Sequence, residues 1–141
     1  MAAPDLSGLK PRVRERPLSP HLQVYSPQVQ MMSSIIHRIT GVILAFGGLA
    51  LVYALVALAA GPERWAVFAA CAGSVFGKIV MFGFSWALAY HLINGVRHLV
   101  QDAGHGFEIK DFIRNSWISL IGSVLLVVVV WAFVLIKWGQ A

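Results

Sequence analysis

Three long stretches without charge divide the sequence, and their lengths decide what kind of protein this is. From Ile39 to Pro62 there are 24 consecutive residues with no charged side chain, which at 1.5 Å per helical residue exceeds a hydrocarbon core of about 30 Å. A first transmembrane helix is therefore predicted, opening near Ser33. Gly61-Pro62-Glu63-Arg64 supplies turn residues and two charges, so a short loop follows. From Trp65 to Val96 only Lys78 is charged, a run longer than one crossing needs. Either the second helix tilts or residues 65 to 75 begin outside the core, and Lys78 either snorkels outward or pairs internally. Asn115 to Ile136 adds 22 uncharged residues. Its second half is rich in β-branched side chains, but a lone strand cannot satisfy its backbone in lipid, so a third helix is predicted.

The pattern gives an all-α integral membrane protein, a bundle of three transmembrane helices at about 33–61, 65–98 and 115–137, with 33–141 as one unit. Residues 1–32 stand apart. Lys10, Arg12, Arg14 and Arg16 form a basic tail, read as retained because no long apolar run with a cleavage site follows closely. Pro17, Pro20 and Pro27 predict an irregular or surface-lying segment as far as Met32.

Composition agrees: 58% of residues are hydrophobic and 12% charged, where a soluble domain carries roughly 25% charged. A soluble catalytic domain does not also fit in 141 residues. The net charge of +5 lies outside the apolar runs, so topology explains it and no nucleic-acid partner is predicted. Lys10, Arg12, Arg14, Arg16, Arg38, Arg97, Lys110 and Arg114 fall on one side, against Arg64 and Lys137 on the other. The positive-inside rule then puts the N-terminus inside and the C-terminus outside. A single cysteine, Cys71, permits neither an internal disulfide nor a thiolate cluster.

Ionisable groups within a span are costly and mark candidate function. In AYHLINGVRHLVQD, His91 lies six residues, roughly 9 Å, inward of Arg97. Gly95, His98 and Asp102 fall within about 40° of it on the same helical face. A buried neutral imidazole can hydrogen-bond a neighbouring helix, relay a proton or ligate haem iron. Gly95, one turn away, would leave a groove for a flat macrocycle, or serve close helix packing instead. His91 and His98 are roughly 10 Å apart and cannot share one iron. Helix three has no histidine, and His37 is expected at the depth of His98, so a second axial ligand would come from another subunit. His98, next to Arg97 at the interface, is read as solvated or paired with an anionic group.

The second candidate group, Ser33 to Gly41, places Ser34 and Arg38 one turn apart. Arg38 could simply snorkel. Beside a haem, His37 and Arg38 would suit propionates, and Ser34 with Arg38 could donate hydrogen bonds to a quinone carbonyl.

Two motifs carry a family resemblance: Arg16-Pro17-Leu18 through Ser34-x-x-His37-Arg38-x-Thr40, and His91-x-x-x-Gly95-Val96-Arg97-His98-Leu99-x-x-Asp102. Together with the three-span layout they resemble the cytochrome b556 membrane anchors of succinate dehydrogenase. Gln101 departs from the pattern, where the family usually has an aromatic residue or Met, and this bears on local packing. The resemblance implies a haem b with His91 as one axial ligand and a histidine of the smaller anchor subunit as the other. It also implies His37 and Arg38 near the propionates, Ser34 and Arg38 at a ubiquinone site, and Arg97 and His98 supporting the same polar face. An iron–sulfur subunit and a flavoprotein subunit holding the succinate site would complete the assembly, set in membrane lipid. The segment SPHLQVYSP resembles mitochondrial and α-proteobacterial members, and a bacterial inner membrane is preferred over the mitochondrial one. Two alternatives stand beside this reading: a fumarate reductase anchor, and a haem-free transporter or channel subunit using Lys78, His91 and Arg38 as a polar path.

Overall fold

The structure is a computed structural model that describes residues 25–138, so the basic tail and Pro17 and Pro20 lie outside the described residues. Those residues form four helices: α1 (Val29–Ala59), α2 (Pro62–Gly73), α3 (Val75–Asp102) and α4 (Ile109–Trp138). No strand occurs among the described residues. Three helices are long and apolar enough to cross a membrane, α1, α3 and α4, as the uncharged runs require.

The boundaries differ from the sequence reading in several places: α2 opens at Pro62, inside the expected loop, α3 runs on to Asp102, and α4 begins at Ile109 rather than near Asn115, so most of the expected polar stretch between them is helical. Helix α1 starts at Val29, so residues 29–32, expected to be irregular, are its first turn. Pro27 ends its influence at the residue before it, and nothing beyond Gln28 opposes a helix. The run from Trp65 is also not one helix. It breaks at Ser74, which sits extended at φ −62°, ψ 161° and caps α3 by accepting from the Gly77 amide at 3.0 Å. The Ser74 hydroxyl also donates to the Cys71 carbonyl at 2.6 Å, stitching the end of α2 to the start of α3. A single helix from Trp65 to Val96 is thus excluded. Gly77 is required by space: a Cβ there would overlap the backbone of Cys71 and Ala72.

The helices pack antiparallel in sequence. Along α1 and α3, Ser33 meets Asn94, Thr40 meets His91 and Gly47 meets Phe84, so the numbers run in opposite directions. Along α3 and α4, Arg97 meets Phe112 and Ser85 meets Trp131. The α3–α4 turn closes on Gly104 at φ +84°, a conformation favouring glycine. The His105 amide bonds the Val100 carbonyl and the Gly104 amide that of Gln101, capping α3.

The packing surfaces are small and polar, and the outside is apolar. Ser116, Ser119 and Ser123 are buried on one stripe of α4, each hydroxyl donating to a carbonyl of its own helix. Small residues let helix backbones approach where no water drives them together. Ile39, Val42, Phe46, Leu49, Leu125 and Val129 are exposed, an arrangement stable only against lipid or a protein partner. Lys78 lies exposed near the start of α3, without an ion pair among the described residues.

Candidate functional site

Where α1 and α3 meet near their Val29 and Asp102 ends, two polar groups lie side by side, one facing inward and one open. The inner group is built on Ser33, Tyr90, Asn94 and Arg97, all buried. The Ser33 hydroxyl donates to Asn94 Oδ1 at 3.1 Å. Tyr90 Oη lies 2.9 Å from both the Ser33 carbonyl and Oγ and shares its single proton between them. Arg97 Nη1 donates to Ser33 Oγ at 3.2 Å and to Asn94 Oδ1 at 3.1 Å. Its guanidinium carbon also sits 4.3 Å from the centre of the Phe112 ring, a cation–π contact. Oδ1 of Asn94 thus takes two donors, which orients the amide so that Nδ2 faces His98 Nε2 at 3.3 Å.

Arg97 points away from the face that carries His91, His98 and Asp102. Six residues on, the helix has turned by 600°, or 240° net, and the long side chain reaches between α1 and α4. Its Nε remains buried with no partner, as does Nε2 of Gln101. Both residues line an open groove of about 300 Å³ between α3 and α4, with Asn115 and Ser119. Gln101 thus puts a polar group into this groove.

The open group holds three histidines. His37 stacks on His91, with ring centroids 3.9 Å apart and planes 10° off parallel. His98 lies 5.0 Å from His37 and tilted to it. His37 was expected at the depth of His98, and it lies instead against both rings. Stacked rings at 3.9 Å leave no slot for a macrocycle between them, whereas two axial nitrogens meet end on with about 4 Å between them. His37 and His91 cannot therefore be the two axial ligands of one iron. Among the described residues no three His, Cys, Asp or Glu side chains converge as a metal site.

His91 itself is shaped for ligation. Its Nδ1 is 3.2 Å from Thr40 Oγ1. Its Nε2 makes no hydrogen bond among the described residues and is not sealed off by them. Gly41 gives the ring its place, since a Cβ there would come within 3.1 Å of His91 Cε1. Gly95, on the His91 face, has nothing within 4 Å of where a Cβ would be, so it serves no packing within this chain and leaves open surface. His37 Nδ1 is buried without a partner, a donor or acceptor that some further group must satisfy. These features fit a haem held at His91 Nε2 with polar groups near His37.

Ser34 and Arg38 lie one turn apart on α1. Ser34 is half-buried and lines a shallow hollow of about 350 Å³ with Gln30, Met31, Ile35 and Phe112. Arg38 is exposed and makes no ion pair among the described residues. Thr40 and Gly41 were quoted with this segment but given no role. Their signal was the helical spacing of four between His37 and Gly41, which puts both on the stripe that His91 meets.

Comparison with known proteins bears directly on this arrangement. The family model described as the succinate dehydrogenase/fumarate reductase transmembrane subunit matches residues 12–133. The succinate dehydrogenase cytochrome b556 subunit of Paracoccus denitrificans is 43% identical over 113 residues, covering 80% of this chain and 87% of that protein. The subunit of the same name from Rickettsia conorii is 42% identical over 117 residues, 83% of this chain and 91% of its own length. The human mitochondrial succinate dehydrogenase cytochrome b560 subunit is 34% identical over 112 residues, 78% of this chain and 66% of its own length. With a family match across most of its length and relatives of this identity, the chain belongs to the succinate dehydrogenase/fumarate reductase transmembrane-subunit family, as a cytochrome b membrane anchor.

Proposed function

We propose that this chain anchors a succinate:ubiquinone oxidoreductase, holds one side of a haem b through His91 and forms part of the ubiquinone site with Ser34 and Arg38. The observation that carries the reading is the state of His91: one ring nitrogen is held by Thr40 and the other has no hydrogen-bond partner among the described residues. His37, whose Nδ1 is buried without a partner, stacks on it, and the cationic Arg38 follows on α1; both would suit carboxylate groups such as propionates. Bound there, a haem would supply a one-electron store. A further ligand to its iron would come from the smaller anchor subunit, and His37, stacked on the His91 ring, would not supply it.

Ser34 and Arg38 do a different task. A quinone accepting two electrons gains negative charge on its oxygens before two protons neutralise it, and fixed donors aimed at an oxygen favour that change. Ser34 lines the hollow and Arg38 follows it one turn along α1; the hydroxyl and the guanidinium can both donate. Arg97 and His98 support the site from behind through Asn94. The electrons come from succinate through flavoprotein and iron–sulfur subunits docked on the basic side. The count of Lys and Arg supports an N-terminus inside and a C-terminus outside, in a bacterial inner membrane.

The test separates quinone chemistry from assembly. In the purified complex, Ser34→Ala and Arg38→Ala are expected to lower succinate-driven ubiquinone reduction at least tenfold, while succinate oxidation by a soluble dye stays near normal. Equal loss of both activities would contradict the assignment of these two residues to the quinone site.

A further inference from the structure

We infer that Thr40 is the positioning residue for His91: its hydroxyl oxygen accepts the His91 Nδ1 proton, which leaves Nε2 as the lone-pair nitrogen able to bind iron. The inference rests on the reading of His91 as a haem ligand and deepens it.

The reasoning starts from one proton. Thr40 is fully buried, and its Oγ1 has two neighbours, the His37 carbonyl oxygen at 2.9 Å and His91 Nδ1 at 3.2 Å. A carbonyl only accepts, so the hydroxyl proton goes to the shorter contact, the back-bond of a helical threonine to its i−3 carbonyl. Only lone pairs then face His91. An imidazole nitrogen meeting a lone pair at hydrogen-bond distance must carry the hydrogen, and in a neutral ring the other nitrogen is then bare. The ring is held in direction as well as tautomer. His37 stacks on one face, and Gly41 admits the Cε1 edge at a distance a side chain would block. Residues 37, 40 and 41 of α1 thus form a cradle for one side chain of α3. An acceptor on the far nitrogen of a ligating histidine also raises its basicity, and loss of such a partner typically weakens metal binding about 10- to 100-fold.

The experiment compares Thr40→Ala with Thr40→Ser in the complete complex. Both lose the methyl group, and they differ only in the hydroxyl. Two readouts are used: transfer of haem to an excess of a haem-scavenging apoprotein, and the haem midpoint potential. Thr40→Ala is expected to release haem about 10- to 100-fold more readily with its potential raised, because a less basic ligand favours the ferric state less. Thr40→Ser is expected to stay within about twofold of the unsubstituted complex, at an unshifted potential. Thr40→Val, which keeps the volume and drops the hydroxyl, should behave like Ala and serves where the smaller residue impairs assembly. Ala, Val and Ser variants indistinguishable in release and potential would overturn the inference. His91→Ala, measured alongside, tells the two failures apart: haem retained there overturns the ligand reading itself, whereas haem lost there with equivalent Thr40 variants overturns only the role of Thr40.

Discussion

At the scale of single residues, the site depends on how closely α1 admits the His91 ring. Gly41→Ala puts a Cβ 3.1 Å from His91 Cε1 and 3.7 Å from Nδ1, so the ring must yield by a few tenths of an ångström. The expected result is reduced haem occupancy with dye-coupled succinate oxidation unchanged, read from the ratio of haem to flavin. Asn94 raises a matching question in the inner cluster, where it receives both Ser33 and Arg97. Asn94→Leu would leave a buried hydroxyl and a buried guanidinium short of acceptors, at a cost of about 1–3 kcal/mol for each group left unsatisfied. A lower thermal midpoint of the detergent-solubilised complex checks this. Much at this scale was legible in the sequence: His91, His37, Ser34 and Arg38 stand out because polar groups are rare in such runs. The direction of Arg97 and the stacking of His37 were not legible. Periodicity fixes where a Cβ lies, but the reach of a long side chain and the register between two helices depend on the neighbouring element.

At the scale of elements, the break at Ser74 turns one apolar run into a short helix and a spanning one. A serine among alanines, glycines and aromatics carries little hydropathy signal, and only its spacing from Gly77 hints at a cap. The hydroxyl serves two backbone groups at once. Ser74→Ala is therefore expected to cost about 1 kcal/mol, the usual loss at a helix N-cap, with haem content unchanged. Gly77→Val should do more damage, because the obstacle is backbone of Cys71 and Ala72 that cannot rotate away. Denaturant titration in detergent micelles distinguishes the two. The serine stripe of α4 was equally hidden, since Ser116, Ser119 and Ser123 lie within an apolar run and announce packing only once α3 is seen beside them.

For the whole molecule, the three spans and the α-helical class followed from uncharged length alone, and the exposed apolar surfaces explain why the chain needs lipid and partners. The orientation is open to direct measurement. With Cys71 replaced by serine, His105→Cys should react with an impermeant maleimide only from the cytoplasmic side, and Glu63→Cys only from the opposite side. The reverse pattern would contradict the proposed topology. The haem reading makes the sharper demand. His91 and His98 lie on one face of one helix, and His37 touches both rings, yet one imidazole alone is proposed to reach iron. The measurement that tests this most directly is the reduced-minus-oxidised spectrum of the purified complex carrying His91→Ala, His37→Ala or His98→Ala. The account predicts a b-type band in the unsubstituted complex, lost or shifted in His91→Ala and kept in the other two. An unchanged band in His91→Ala would contradict it.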